Sequence, residues 1–282
     1  MMPTVSILGL GLMGRPMART LIAAGGAVCG WNRSILAAEL TQSIPLCQTL
    51  AEAAQAEICL LMLTDSNAVD AVLTQLEPYL NAGQLILDMS SSDPGHSKVH
   101  AQRLAEKGIG WVDAPVSGGP EGAKAGTLAI MAGGAAPDFE RVKPILEVWG
   151  GNIVHVGGPG LGHTVKVINQ VIVGLTIEAV AEALTLAEKA GVDPRLVQQA
   201  LKGGFADSKI LQIHGTRMIT RAYEPGGRVT TQLKDLKLGQ ALADSLSLHL
   251  PHLESAGAIY ERLIVQGDGD LDHSAPHKLL WS

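Results

Sequence analysis

The stretch Val5-Ser6-Ile7-Leu8-Gly9-Leu10-Gly11-Leu12-Met13-Gly14-Arg15-Pro16-Met17-Ala18 decides how this chain is read. A short apolar run leads into glycines spaced G-x-G-x-x-G, and the glycines open a segment that continues with helical periodicity through Met17 and Leu21. Strand, tight turn and helix in that order are what a dinucleotide-binding unit needs. Gly9 makes the turn, Gly11 lets the backbone approach a pyrophosphate, and Gly14 lets helix and strand pack closely. The loop of Gly9, Gly11, Leu12, Met13 and Gly14 then presents the helix N-terminus to negative charge.

The next strand ends at Trp31-Asn32-Arg33-Ser34. A site for NAD presents an acidic residue about 20 positions after the glycines to hold the ribose 2′-hydroxyl, and no acid is there. Asn32, Arg33 and Ser34 offer an amide, a guanidinium and a hydroxyl, which suit a 2′-phosphate through charge-assisted hydrogen bonds. NADP is therefore the expected cofactor, ahead of NAD. Arg33 as an ordinary surface charge is the alternative.

Up to Val156, short apolar runs alternate with helix-period segments: TVSILGL, AVCGW, EICLLML, QLILDMS, GWVDAPV, TLAIMAGG and NIVHVGG are the strands. The rhythm predicts a mostly parallel sheet covered on both faces. After Gly157-Gly158-Pro159-Gly160 the pattern changes. Residues 162–190 are apolar or small nearly all round, interrupted only by Gly174, and predict one long, largely buried helix of roughly 40 Å at about 1.5 Å per residue. Gly191 and Pro194 end it, and helices are expected at 194–203, 207–222, 230–247 and 251–266. The fold class is α/β: a doubly wound sheet over 1–160 that binds NADP, followed by an all-helical domain over 161–282 for substrate and dimerisation. A helix this apolar needs partners, and a second copy of the chain is one supplier.

Composition narrows the function. Of 282 residues, 46% are hydrophobic and 17% charged, which excludes a disordered or coiled-coil protein. Twenty-one basic against 27 acidic residues leave a net charge of -6. Nothing global favours nucleic acid, and two Phe and three Tyr give few platforms for bases. Cys29, Cys47 and Cys59, odd in number and widely spaced, are expected to be reduced thiols in the cytoplasm. The first residues have no basic region ahead of their apolar run, so no signal peptide is expected, and no 18-residue uninterrupted apolar run suggests a membrane span.

Two segments carry chemistry. Asp113-Ala114-Pro115-Val116-Ser117-Gly118-Gly119 lies where a buried strand gives way to a loop, and strand ends in doubly wound sheets are where ligands collect. The Ser117 hydroxyl and the amides of Gly118 and Gly119 either hold a carboxylate or form a plain tight turn. On the long helix, Lys166, Asn169 and Gln170 stand at i, i+3 and i+4 and share one face. An ammonium among Val165, Val167, Ile168 and Val171 is either a snorkelling lysine or a buried proton donor whose pKa burial would lower.

With these residues in view, the chain resembles the β-hydroxyacid dehydrogenases over nearly its whole length. The motifs are GLGLMGRPMA, DAPVSGGPEGAKAGTL, GHTVKVINQ and QLKDLKL, in that order. NQVIV, EALTLAEKAGV, LKGGFADSKIL and GDLDHSA are most similar to the branch that reduces tartronate semialdehyde to glycerate, and similarity to the 3-hydroxyisobutyrate branch is weaker, since Gln170 stands where that branch commonly has Asn. The resemblance implies NADP-dependent reduction of a short 3-oxo acid without a metal, in a homodimer or homotetramer. It implies Lys166 as general acid, Asn169 fixing the substrate with Gln170 beside it, and Ser117, Gly118 and Gly119 holding the carboxylate. Met62, Leu63, Ser90 and Ser91 would line the nicotinamide half of the cofactor, and Lys234 would reach cofactor and substrate across a cleft. The chain departs from the family at Gly227, where Phe is frequent, at Ser91, where Thr is common, and in its tail from His277 to Ser282.

Other constellations fall short. His249 and His252 lack a third ligand at metal spacing. The Asp268-Gly269-Asp270-Leu271-Asp272 run begins like a calcium loop but has His273 where Gly is needed and Leu279 where Glu is needed. Asp272-His273-Ser274 is adjacent in sequence, which does not make a triad.

Overall fold

In the computed structural model, which describes residues 2–280, the chain forms two compact units, Met1–Lys166 and Val167–Ser282. The first contains eight strands: β1 (Val5–Leu8), β2 (Val28–Trp31), β3 (Ile58–Leu61), β4 (Leu85–Asp88), β5 (Gly110–Asp113), β6 (Val116–Ser117), β7 (Leu128–Gly134) and β8 (Gly150–Gly157). They form one sheet in the order β2-β1-β3-β4-β5-β7-β6, with β8 paired to β7. The pairs from β2 through β5 are parallel, and β7 runs antiparallel to β5 and β6. Ile7, Leu60 and Leu87 enter a core on one face with Met17, Leu21 and Trp149, whereas Leu8, Leu61 and Ile86 enter a core on the other with Val72 and Leu76. Alternate residues of these strands thus bury to opposite sides, which is why the runs are apolar without a polar beat.

Helices α1 (Gly14–Ala23), α2 (Ala38–Thr41), α3 (Leu50–Ala53), α4 (Ser66–Leu76), α5 (Pro94–Ala105), α6 (Gly119–Ala125) and α7 (Ala136–Trp149) connect the strands. Side chains cap α4 and α5: Asp65 accepts from the Ala68 N–H at 2.9 Å, and Asp93 from the Gly95 N–H at 2.6 Å. Such caps satisfy donors that a helix start leaves open. α1 has no side-chain cap and no acid in its first turn.

The cysteines correct one expectation. Cys29 and Cys47 form a disulfide, with Cα atoms 5.9 Å apart, and only Cys59 is a free thiol. The segment after α2 runs back along β2, the Gly30 N–H donating to the Pro45 carbonyl at 2.7 Å and the Cys47 N–H to that of Gly30 at 2.9 Å. A separation of 18 residues conceals that approach. Burial pushes the Cys59 thiol up to about 11, so it is inert at neutral pH.

The long helix is α8 (Leu161–Lys189). Its start is seated on the sheet: Asp113, at the end of β5, accepts from the Gly160 N–H at 2.7 Å and the His163 N–H at 2.9 Å. A Cβ on Gly162 would stand 2.3 Å from the Asp113 carbonyl oxygen and 2.4 Å from that of Met131, so only glycine fits. This seat explains why the compact units divide after Lys166 and not at the glycine-rich turn where the sequence pattern changes. The expectation that the helix is largely buried is also corrected. Ile168, Ile172 and Leu186 are 50%, 60% and 71% exposed, because the chain's own helices cover only part of its circumference. By length and composition α8 is the one helix among the described residues that could cross a membrane, yet its other faces pack into two globular cores.

In the second unit α9 (Pro194–Leu201), α10 (Lys209–Thr220), α11 (Val229–Ser245) and α12 (Pro251–Val265) pack along part of α8. Val171 and Leu175 pack with Leu236, Leu253 and Tyr260, while Ile177, Ala181 and Leu184 pack with Leu211 and Met218. Gly174 is the apparent breaker in α8, and it lies against Leu236, 2.8 Å from where a Cβ would be. It permits close approach of α11 without interrupting the helix. The run from Asp268 to Asp272 is structural: Asp272 is fully buried, pairs with Arg217, and accepts from the Gly226 N–H at 2.9 Å and the Ser274 hydroxyl at 2.6 Å. Burial opposes the charge on Asp272, but bonds from His214, Ser274 and Gly226 outweigh it and hold its carboxyl well below the usual range.

Candidate active site

The glycine loop is built as its spacing requires. The Gly9 N–H donates to the Trp31 carbonyl at 2.9 Å and the Leu10 N–H to Asn32 Oδ1 at 3.1 Å, so the end of β2 fixes the loop. Asn32 Nδ2 donates to the Ser34 carbonyl at 2.7 Å, which commits the Asn32 amide to the protein itself. A Cβ on Gly14 would lie 1.9 Å from the Gly9 carbonyl oxygen, whereas one on Gly11 would meet nothing within 4 Å. Gly14 is thus glycine for packing, and Gly11 borders open space. Leu12 is 61% exposed, and Arg33 and Ser34 are exposed at the rim. An uncapped helix start without an acid, fronted by open space at Gly11, fits the pyrophosphate of a dinucleotide.

Met62 and Leu63 follow β3, and Ser90 and Ser91 follow β4. Ser90 Oγ accepts from the Leu63 N–H at 2.9 Å, while the Ser90 N–H donates to Asp88 Oδ1 at 3.0 Å. These two strand ends are therefore one hydrogen-bonded assembly. Beyond β5, Ser117 closes β6, and Gly118 (φ +136°) and Gly119 (φ +66°) turn the chain into α6. Both backbone conformations disfavour a side chain. Lys166 is 9% exposed as a residue, and its ammonium donates to the Val116 carbonyl at 2.8 Å. The lysine is buried and does not snorkel: the stem does not run out to solvent, and the amine ends beside the strand that carries Ser117.

In the second unit, Asn169 Nδ2 donates to Gln170 Oε1 at 2.8 Å, and Gln170 Nε2 donates to Asp235 Oδ2 at 2.6 Å. Gln232 Nε2 donates to the Gln170 carbonyl at 3.0 Å, and Lys234 pairs with Asp235 at 3.2 Å. Gln170, expected at the substrate, thus orients Asn169 and ties α8 to α11. Sequence reading missed Gln232 and the role of Asp235; the only signal was Asp235 beside Lys234 in the QLKDLKL motif. It also missed what Asp113, His163 and Ser97 do together, since nothing in their spacing announces contact.

Two other clusters are accounted for by their own bonds. His96 and His100 on α5 meet Asp70 on α4 at 3.0 and 2.6 Å. Arg103 approaches His100 Nδ1 at 3.4 Å, and a guanidinium can only donate, so Nε2 carries the proton given to Asp70. Burial raises and the two histidines lower the Asp70 pKa, with a net decrease. His214 and His273 stack edge to face beside the saturated Asp272.

Residues 4–157 match the NAD-binding domain of 6-phosphogluconate dehydrogenase, and residues 160–280 match the NAD-binding region of NADP-dependent 3-hydroxyisobutyrate dehydrogenase. The chain is 44% identical to 2-hydroxy-3-oxopropionate reductase of Escherichia coli K12, covering 96% of this chain and 94% of that protein. It is 35% identical to 2-(hydroxymethyl)glutarate dehydrogenase of Eubacterium barkeri, covering 98% and 94%. A solved structure of Mycobacterium tuberculosis 3-hydroxyisobutyrate dehydrogenase with L-serine superposes with a TM-score of 0.89 at 29% identity, over 100% of both chains.

Proposed function

Because the chain belongs to the β-hydroxyacid dehydrogenase family of oxidoreductases and carries its NAD(P)-binding domains, we propose that it reduces a short 3-oxo acid to the 3-hydroxy acid with NADPH, and that the reaction is tartronate semialdehyde to glycerate. A 3-hydroxyisobutyrate-type substrate is the alternative within the family. The observation that carries the reading is the Lys166 ammonium, buried and bonded to Val116 next to Ser117.

When bound, the reduced nicotinamide supplies the hydride that reaches the carbonyl carbon. Lys166 supplies the proton: its Nζ–H donates to the carbonyl oxygen as negative charge develops there, and the lysine leaves the step neutral. Ser117 Oγ and the Gly118 and Gly119 amides bind the substrate carboxylate, and Asn169, its amide held by Gln170, binds the substrate. The exclusion of water around a buried amine strengthens these contacts at the moment of transfer. The 2′-phosphate of NADP falls to Arg33 and Ser34, because the Asn32 amide is already committed. The exposed Ile168 and Ile172 on α8 support assembly as a homo-oligomer.

A steady-state panel of tartronate, methylmalonate and succinate semialdehydes and glyoxylate, each with NADPH and NADH, tests the reading. The highest kcat/KM is expected for tartronate semialdehyde with NADPH. Absence of nucleotide oxidation with all four would overturn it.

A further inference from the structure

His163 stands one turn before Lys166 on α8 and is fully buried. Its Nε2 lies 2.9 Å from the Ser90 carbonyl oxygen and its Nδ1 2.6 Å from Ser97 Oγ on α5. A carbonyl only accepts, so Nε2 carries the hydrogen and Nδ1 accepts from the Ser97 hydroxyl. A neutral imidazole satisfies both contacts with a single proton. Its backbone N–H goes to Asp113, and the carboxylates of Asp88 and Asp113 lie 3.8 and 3.9 Å from the ring nitrogens. One side chain therefore joins the start of α8 to the strand-end assembly of Ser90 and Leu63 and to α5.

We infer that His163 is a positioning residue that sets the distance between Lys166 and the Ser90 strand end. The inference rests on the function proposed above, in which Lys166 donates the proton and the Met62, Leu63, Ser90 and Ser91 segments line the nicotinamide. Proton and hydride must arrive at the two ends of one carbonyl bond, and a misplacement of about 1 Å costs on the order of 100-fold in rate. Asp113 holds the α8 backbone through its first N–H groups. His163 adds a side-chain link from that helix to the Ser90 carbonyl, a rigid ring in place of flexible rotamers. The side-chain bonds of His163 go to Ser90 and Ser97 and not to the Ser117-Gly118-Gly119 loop or the glycine loop, so most of substrate and nucleotide binding should survive its loss while the chemical step does not.

The test compares His163→Leu, His163→Gln and Ser97→Ala with the wild type in kcat, substrate KM, NADPH affinity by fluorescence titration, and the primary isotope effect with deuterated NADPH. His163→Leu is expected to lower kcat by about 10- to 100-fold, within the scale set by misplacement, with KM and NADPH affinity changed less than about threefold and a larger isotope effect. His163→Gln, whose amide can donate to the Ser90 carbonyl, is expected to recover most of kcat. Ser97→Ala leaves the ring in place but Nδ1 without its donor, and should give a smaller loss of the same kind; it serves if the leucine variant does not fold. A folded leucine variant with more than half the wild-type kcat would overturn the inference. So would equal losses in kcat and NADPH affinity with no recovery by glutamine, the pattern of general damage. Failure of the underlying function would look different, as a wild type that turns over no semialdehyde.

Discussion

Lys166 has a structural contact with the Val116 carbonyl and a proposed task as proton donor, and substitution tests the task. Lys166→Ala removes the proton donor but leaves the glycine loop, which belongs to other elements, untouched. We expect kcat to fall by about 100-fold or more, the scale of general-acid catalysis, with NADPH affinity within a few fold. A variant that kept over half its kcat would refute the assignment. Arg33 is the second residue to probe, since it is exposed at the rim while its neighbour Asn32 is tied to Leu10. Arg33→Asp places a negative charge where a 2′-phosphate would sit, and should narrow or reverse the preference for NADPH over NADH; equal kcat/KM for both cofactors in the wild type would remove the basis for the claim.

At the scale of elements, the β1 to α1 unit and the alternation of strands and helices are legible in the sequence because each signal is local: a run of apolar residues, a glycine triplet, a helical period. Ser117, Gly118, Gly119 and Lys166 stand out in the sequence as candidates, through residue type next to a strand end or on an apolar helix, and their roles are what the substitutions above test. The Asp113 seat under α8, the His163 link and the Gln170 to Asp235 bond are not, since each joins residues about 50 or more positions apart through side chains with no periodic pattern. The disulfide spans only 18 residues and is hidden because nothing periodic in the sequence shows the segment after α2 returning along β2. It closes the segment from within β2 through α2 to Cys47, and a loop of this length contributes about 3 kcal/mol in the chain-entropy account. Cys47→Ser, or reduction with dithiothreitol, should therefore lower the melting temperature by several degrees; an unchanged melting curve on reduction would show that the bond contributes nothing.

For the whole molecule, the buried titratable groups of the second unit set its acid stability. Burial lowers the His277 pKa from the ordinary 6.5 to about 4, so the folded state binds fewer protons than the unfolded one between these values. The stability this represents is complete above pH 6.5 and lost as pH falls toward 4, about 3 kcal/mol at most. Asp272, whose carboxyl is depressed, acts below that window: its contribution is intact above about pH 4 and disappears as pH falls further. Glu178 on α8, which burial and the nearby Glu182 raise to about 7, acts in the opposite sense and gains stability as pH falls from 7 toward 4.5, so the two offset each other in the wild type. In urea denaturation between pH 7 and 3, His277→Gln should therefore make stability rise as pH falls from 7 to 4.5, and the Asp272 loss should follow below pH 4; a variant whose pH profile matched the wild type would contradict the account. The continuous α8 has a further consequence, for inheritance. The boundary between the compact units falls inside a helix of 29 residues, so a recombination event there would join two foreign halves within one continuous helix and mismatch its side-chain contacts. A crossover at the preceding glycine-rich turn would spare the helix, yet it would pass Lys166, His163 and Gly162 to a foreign sheet lacking their Asp113, Ser90 and Ser97. We therefore expect the two halves of the gene to be inherited together, a donor sheet being acceptable only where it carries the same three partners.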